Sequence, residues 1–148
     1  MEHVLMVFLG ADHGGFALKE KAKLWLGEWG VPYEDVGALT LDPGDDYPAF
    51  ATSAAKKVLA DPDGKAVLFC RSGGGMAIAA NRLKGVRAVD CTTVESALLA
   101  RKKNNANILS LAADWLNENQ AKTIIKTFLE TPFSGEERHV HRIAMLDV

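Results

Sequence analysis

The chain has 148 residues and a formal net charge of −2, with 48% hydrophobic and 24% charged residues. This length and composition are ordinary for one globular unit with a real core, so we expect a single domain over residues 1–148. The nearly balanced charge gives no reason to expect a nucleic acid or a membrane surface as a partner.

The cysteine content and the N-terminal stretch point to a compartment. Two cysteines, Cys70 and Cys91, do not make a disulfide framework in a chain of this length, and a reducing environment is the simpler interpretation. The apolar run Val4–Leu9 is too short for a membrane span and lacks the cationic flank and cleavage site of a signal peptide. We therefore expect a cytoplasmic protein.

Apolar runs that suit buried strands alternate with segments of helical periodicity in the first half of the chain. The first strand, Val4–Leu9, leads into a polar, glycine-bearing loop and then an amphipathic helix that Gly30 ends. A second strand over Val31–Val36 is followed by a loop over Gly37–Tyr47. Pro48 suits the first turn of the next helix, which is predicted to reach about Ala60.

The same alternation continues in the second half. A third strand ends at Cys70, and the helix after it is predicted to reach about Leu83. Thr92 or Thr93 caps a later helix, since Thr92–Glu95 matches a capping box. The remaining predicted elements are strands over Val86–Cys91 and Ala106–Ala112, helices over 94–103 and Leu116–Leu129, and a helical segment ending near Met145. This order predicts an α/β fold with a five-stranded parallel sheet, a Rossmann-like three-layer α/β/α sandwich.

The stretch Ala66–Asn81 combines a strand, a glycine-rich loop and a helix. It places Cys70 at the carboxyl end of the strand, where open α/β sheets bind ligands. A thiol near a helix N-terminus has a lowered pKa and works as a base or a nucleophile, whereas a buried core cysteine is the plainer interpretation. Asp12 and His13 follow the first strand and so face the same edge, although capping and solvation also explain such a pair.

Two arginines near the C-terminus, Arg138 and Arg142, are four residues apart and share one helix face. Two adjacent guanidinium groups can clamp a phosphate, although a solvated basic face shows the same pattern. His139 and His141 lie nearby, but no further side chain stands at a spacing typical of metal ligands. We therefore expect no metal site.

Several segments form a set in a fixed order. The segment Cys70–Asn81 (CRSGGGMAIAAN) is similar to the motif C-G-T-G-x-G-M-x-I-A-A-N of the B-type ribose-5-phosphate isomerases, whose group also holds allose-6-phosphate and galactose-6-phosphate isomerases. The other matching segments are Gly10–Lys19, Asp46–Pro48, Lys84–Arg87, Ala100–Asn107 and Thr131–Arg142. The chain thus resembles this family almost end to end.

The resemblance implies isomerisation of a phosphorylated sugar between aldose and ketose through a cis-enediolate, without metal or nucleotide cofactor. It makes Cys70 the base that moves a proton between C1 and C2, and Ser72 the hydroxyl that helps move a proton between the two oxygens. Asp12 matches a residue of ring opening. Main-chain N–H groups of three glycines would stabilise the enediolate, namely those of Gly73, Gly74 and Gly75.

The resemblance also implies how substrate is held. His13, Arg138 and Arg142 match the phosphate end, Asn104 matches a residue that holds sugar hydroxyls, and Tyr47 lies within a matching segment. The family is dimeric with its site at the subunit interface, so we expect a homodimer, with further pairing into tetramers left open.

Several positions depart from the family pattern, among them Glu136 and Glu137, which replace a glycine beside the arginine pair. The family's ring-opening histidine corresponds to Lys103, which is cationic at neutral pH and a poor base in that state, but which can bind an oxyanion. A phosphate-binding arginine corresponds to Asp114 and a glycine to Arg71, and we interpret Arg71 as supplying the charge missing at position 114. Two alternatives stay open: a phosphosugar-binding subunit with little or no turnover, and an isomerase for a four-carbon or deoxy sugar phosphate.

Overall fold

Five parallel strands form one sheet in the computed structural model of this chain, which describes residues 5–148. The strands are β1 (Val7–Ala11), β2 (Tyr33–Gly37), β3 (Lys65–Cys70), β4 (Ala88–Asp90) and β5 (Ile108–Ala112). Their order across the sheet is β2-β1-β3-β5-β4. The predicted five-stranded parallel sheet is therefore confirmed.

Six helices connect or follow these strands. They are α1 (Phe16–Glu28), α2 (Tyr47–Ala60), α3 (Gly74–Ala80), α4 (Val94–Lys102), α5 (Glu118–Glu130) and α6 (Glu137–Ala144). Within residues 5–148, no helix is both long and apolar enough to cross a membrane. Helices α1 to α4 each connect two strands, as the crossovers of a parallel sheet require, and α5 follows the last strand.

Two hydrophobic clusters lie on opposite faces of the sheet, because successive side chains of a strand point to opposite faces. Val67 and Phe69 of β3 pack into the cluster that takes in α1, α4 and α5. Leu68 and Cys70 of the same strand pack into the cluster that takes in α2 and α3. The fold is thus the predicted three-layer sandwich, and Cys70 faces the layer of α2 and α3. The single domain over residues 1–148 stays a prediction, which the one shared sheet supports.

The strand bounds differ from the sequence-based prediction at the first and fourth strands. The predicted start at Val4 lies outside the described residues, and β1 runs on past Leu9 through Ala11. Gly10 belongs to the strand because it pairs with Leu68 across the ladder and is fully enclosed by its neighbours. β4 has only three residues, and all three pair with β5.

Helix ends differ where a cap was not identified from the sequence. Thr93, one of the two predicted caps, does cap α4, but its capping box uses Ser96 in place of the predicted pairing of Thr92 with Glu95. Asn117 caps α5 together with Gln120, so this helix begins at Glu118, two residues later than predicted. α3 ends at Ala80, three residues early, and the amide of Asn81 then bridges to the backbone of Ala88.

A fully buried lysine joins the end of β2 to α1. Lys19 Nζ donates to both oxygens of Asp35, at 2.8 and 2.7 Å, and also to the carbonyl oxygen of Ala38. The Ala38 N–H in turn donates to Ala11 O at the end of β1. A buried charge needs such partners, and these contacts fix the start of the loop over residues 38–46 against the end of β1.

Candidate active site

The strand order creates a crevice between the carboxyl ends of β1 and β3. β1 is followed in the chain by β2 on one side, and β3 then pairs with the opposite side of β1. This change of direction is where open α/β sheets bind ligands. The loop over residues 12–15 and the loop over residues 71–73 border the crevice, so the sequence-predicted residues Asp12, His13, Cys70, Arg71 and Ser72 lie at one edge, which we call the carboxyl edge.

Cys70 is the last residue of β3, and its thiol is buried, with the residue 4% exposed. The N–H of Gly73 donates to Cys70 Sγ at 3.1 Å. Gly73 can do so because it adopts φ = +82°, a left-handed conformation that favours glycine, and Ser110 Oγ fixes its carbonyl oxygen at 2.6 Å. The turn therefore aims a main-chain donor at the sulfur.

The predicted lowering of the Cys70 pKa is wrong. Burial raises the pKa of this thiol, the N–H groups of Met76, Gly73 and Ser72 oppose that rise, and the negative charge of Asp12 adds to it. Desolvation wins because the sulfur lies in the apolar cluster under α2 and α3. The resting group is a neutral thiol, which becomes a strong base once it loses its proton.

Asp12 is also buried at this edge, at 7% exposure, and its Oδ1 accepts the N–H of Gly15 at 3.1 Å. His13, next along the loop, pairs with Asp45 from the loop before α2, with 2.8 Å between His13 Nδ1 and Asp45 Oδ1. This contact raises the pKa of His13. The sequence predicts only a loop at Asp45, because a run of Gly, Asp and Pro does not identify a contact with a residue 32 positions away.

Arg71 and Asp114 lie together at the rim of the carboxyl edge. Their closest atoms, Arg71 Nη1 and Asp114 Oδ2, are 3.6 Å apart, and both side chains are exposed. The Arg71 side chain passes over Gly14, where an added Cβ would come within 2.5 Å of Arg71 Cγ. A glycine at position 14 thus lets the guanidinium lie beside the loop that carries His13.

Tyr47 and the glycines that open α3 complete this edge. The Tyr47 ring lies against Gly75 so closely that a Cβ there would be 2.7 Å from Cζ. Gly74 and Gly75 are the first two residues of α3, whose earliest N–H groups have no partner within the helix. Ser72 is exposed, and no group among residues 5–148 forms a hydrogen bond with its hydroxyl.

The other predicted residues lie at the opposite edge of the sheet. α4 starts after the carboxyl end of β4 and ends before the amino end of β5, so Lys103 and Asn104 lie at the amino edge. Together with Arg142 and the buried His139 of α6 they line a cavity of about 350 Å³. Arg138, one helix turn before Arg142, is exposed and lies 3.5 Å from Glu136. The sequence offers His139 only as a candidate metal ligand and does not predict that it lines this cavity.

The structure therefore divides the predicted site into two groups at opposite edges of one chain. The carboxyl edge carries a buried thiol, a carboxylate, an imidazole and main-chain donors, which suit proton transfer and anion binding. The amino edge carries exposed cations and an amide. Within residues 5–148, no group of three or more His, Cys, Asp or Glu side chains is placed to hold a metal ion.

The chain is a Rossmann-like sandwich whose switch point carries a thiol, an imidazole and main-chain donors. This combination is typical of α/β enzymes that act on small anionic substrates. The sequence matches the family described as Ribose/Galactose Isomerase over residues 7–146. It is 39% identical to ribose-5-phosphate isomerase B of Mycolicibacterium paratuberculosis over 142 residues, which cover 96% of this chain and 89% of the relative.

Solved structures of similar proteins support the same family. A ribose 5-phosphate isomerase from Thermotoga maritima superposes with a TM-score of 0.91 at 40% identity, covering 99% of both chains. Ribose-5-phosphate isomerase B from Mycoplasma genitalium, solved with bound ribulose-5-phosphate, gives a TM-score of 0.91 at 35% identity, covering 96% of this chain and 94% of that one. The chain belongs to the Ribose/Galactose Isomerase family and is a sugar-phosphate isomerase that interconverts aldoses and ketoses.

Proposed function

We propose that this chain interconverts ribose 5-phosphate and ribulose 5-phosphate, or a closely related pentose or hexose phosphate, with Cys70 as the base. The observation that carries this proposal is the Cys70 sulfur at the switch point, with the Gly73 N–H aimed at it from 3.1 Å. Relatives that cover nearly the whole chain are named for this reaction, and one of them was solved with ribulose-5-phosphate.

In the proposed reaction the Cys70 thiolate removes the proton from C2 of the open-chain aldose. The electron pair of that C–H bond forms the C1–C2 double bond of a cis-enediolate, while the π electrons of the C1 carbonyl move onto O1. The same proton then returns to C1 and gives the ketose. The Ser72 hydroxyl passes a proton between O1 and O2, for which an exposed and unengaged hydroxyl is suited. No atom is gained or lost, so no co-substrate is needed.

The enediolate is stabilised in this proposal by the main-chain N–H groups of the glycines that open α3, Gly73, Gly74 and Gly75. Such donors stabilise developing negative charge without having to reorganise. In the free enzyme the Gly73 N–H contacts Cys70 Sγ and opposes the rise in the thiol pKa that burial causes. Tyr47, packed on Gly75, closes one side of this loop and is proposed to contact substrate.

The amino-edge residues act, we propose, in the site of a second chain. Lys103, Asn104, Arg138 and Arg142 cannot reach Cys70 within one chain, because the sheet separates the two edges. A symmetric dimer that sets the amino edge of one chain on the carboxyl edge of the other builds two complete sites. Apolar side chains are exposed beside the amino-edge cavity, which suits an interface; they are Leu99, at 43%, and Leu146, at 62%.

A phosphosugar-binding subunit with weak turnover is the second candidate, and Lys103 favours it. This side chain is exposed at the end of α4, and it stands where the family resemblance expects the histidine of ring opening. Asp114 also favours the weakly active subunit, since a carboxylate repels the phosphate of a substrate. Arg71, which pairs with Asp114, offsets this negative charge.

Turnover of aldose and ketose phosphates with four to six carbons tests both candidates. We expect Cys70→Ala to abolish turnover while sugar-phosphate binding persists. Cys91→Ala is the matched control, because Cys91 is equally buried but packs on the other face of the sheet. Binding without turnover for every sugar would instead establish the binding subunit. Both cysteines are free, which supports the proposed cytoplasmic location.

A further inference from the structure

The pair formed by His13 and Asp45 carries an inference about how the phosphate is held. Asp45 Oδ1 accepts two hydrogen bonds from one residue, the His13 main-chain N–H at 2.9 Å and the ring nitrogen Nδ1 at 2.8 Å. Two bonds to a single oxygen fix both the loop and the imidazole plane. This contact joins the loop after β1 to the loop before α2.

The geometry decides which ring nitrogen carries the proton. An ionised carboxylate only accepts hydrogen bonds, so Nδ1 must be the donor. The other ring nitrogen, Nε2, has no hydrogen-bond partner among residues 5–148. With Nδ1 already protonated, Nε2 can donate to a phosphate oxygen only when the ring is an imidazolium.

The surroundings of Asp45 favour that charged ring. Its side chain is 9% exposed against 29% for His13, and its second oxygen, Oδ2, is buried without a hydrogen-bond partner among the described residues. A carboxylate removed from water in this way needs a cationic partner. The other charged groups near the ring are Asp12 on its own loop, which favours the cation, and Arg71 after β3, which opposes it.

We propose that Asp45 is a positioning residue, which holds the His13 ring by Nδ1 and keeps it cationic so that Nε2–H donates to the phosphate of the substrate. The proposal rests on the proposed function, since it takes a sugar phosphate as the ligand of this edge. It assigns a role to a loop carboxylate that does not itself touch substrate.

The test compares Asp45→Asn with a matched control, Asp42→Asn. Both remove one negative charge from the same loop, but among residues 5–148 the Asp42 side chain accepts a hydrogen bond only from the N–H of Gly44, which an asparagine oxygen can also accept. The first readout is the NMR titration of the His13 imidazole in the free enzyme, assigned through loss of its signal in His13→Gln. The second is the pH dependence of kcat and KM for ribose 5-phosphate.

We expect the wild-type His13 to titrate above about 6.5, the ordinary value for an imidazole. Asp45→Asn lowers that pKa, and it raises KM roughly tenfold at pH 8 with little change in kcat, the cost of one charge-assisted hydrogen bond. Asp42→Asn changes neither quantity. An unchanged His13 pKa in Asp45→Asn, or a KM that stays at the wild-type value across the pH range, overturns the proposal.

Failure of the proposed function would show separately. If the wild type turns over no sugar phosphate, the NMR titration still measures the coupling of Asp45 to His13, and binding of inorganic phosphate by calorimetry replaces KM. Weaker phosphate binding in Asp45→Asn at pH 8 then supports the positioning role. Equal binding by the wild type and both variants overturns it.

Discussion

Arg71 Nη1 lies 3.6 Å from Asp114 Oδ2, and this contact brings together two of the positions where the chain departs from its family's pattern. An arginine is present at this rim, but it comes from the loop after β3 rather than from position 114. Both side chains are exposed, and an ion pair of this kind is worth no more than about 1 kcal/mol. Arg71 can therefore leave Asp114 for a phosphate at little cost.

This arrangement predicts opposite effects for the two residues. Arg71→Ala should raise KM for the sugar phosphate by roughly tenfold, because a charge-assisted contact is lost, while kcat changes little. Asp114→Asn should lower KM a few-fold, because it frees the guanidinium and removes a repulsive charge. Steady-state kinetics measure both, with Lys122→Ala as the control, since Lys122 forms a comparable exposed pair with Glu28. A KM unchanged by Arg71→Ala would exclude Arg71 from phosphate binding.

The protonation state of Cys70 predicts how activity depends on pH. Burial raises the pKa of this thiol, so the thiolate is the minor form at neutral pH, and kcat at saturating substrate, where loss of the His13 charge no longer matters, should rise as the pH increases toward the alkaline range. We expect Cys91→Ala to keep this rise. An activity that is independent of pH between 7 and 9, to be measured with the wild type on its best substrate, would argue against a thiolate base.

The same shift has a consequence for stability whose sign can be worked out. The thiol has a higher pKa in the folded chain than in the unfolded chain, so above about pH 8.5 the unfolded chain loses its proton first. The free energy of unfolding should therefore fall as the pH rises through that range. Urea titrations should show a shallower fall with pH for Cys70→Ala. Part of the remaining fall comes from Cys91, because burial also raises the pKa of that thiol.

The elements of the fold could be predicted because each reads as a local pattern. A run such as Val67–Phe69 is apolar at every position, since the sheet is covered on both faces, and it was placed correctly as a strand. Helix starts were less accurate, because Asn117 and Gln120 cap α5 through polar contacts that also occur in loops. The length of edge strand β4 was overestimated at its start, because the N–H of Val86 bonds back to the carbonyl oxygen of Leu83 in a turn.

The candidate site could be predicted only in part. The position of Cys70 at the end of β3 follows from the sequence. The direction of its pKa shift depends on how α2 and α3 cover the thiol, and a local sequence motif cannot predict that packing. The contacts of Asp45 with His13 and of Asp114 with Arg71 join loops that are distant in the chain. The sequence marks the segment of Asp45 only as a loop, whereas the departures from the family pattern already link Arg71 with position 114.

Lys19 predicts a large effect on stability at a position outside the site. This side chain is fully buried and pairs with Asp35, so Lys19→Met leaves the carboxylate with Lys23 as its one cationic partner among residues 5–148. We expect a loss of about 3 kcal/mol in the free energy of unfolding, measured in urea. Lys21→Ala is the control, because its 3.9 Å contact with Glu118 is exposed and should be worth less than about 0.5 kcal/mol. Equal stabilities would contradict the assigned role of Lys19.

Because the site residues form two separate groups, mutations in each group can test whether two chains of a dimer build one active site together. Cys70 and Asp12 lie at the carboxyl edge, whereas Arg142 lies at the amino edge with Lys103 and Asn104. If one site draws on both edges of one chain, a lesion at either edge destroys that chain's site. If the site is built from two chains, lesions at different edges can be separated into different sites of the same dimer.

Mixing inactive Cys70→Ala with inactive Arg142→Ala, after reversible unfolding, should therefore restore activity. In a mixed dimer one site takes Cys70 and Arg142 from the two undamaged edges, while the other site receives both lesions. Random pairing gives mixed dimers in half of the cases and one intact site in each, so about a quarter of the wild-type activity should return. Mixing Cys70→Ala with Asp12→Asn is the control and should restore none, because both lesions lie at the same edge and every site then lacks one of the two groups. Recovery in the control, or none in the first mixture despite mixed dimers seen by native mass spectrometry, would refute the two-chain site.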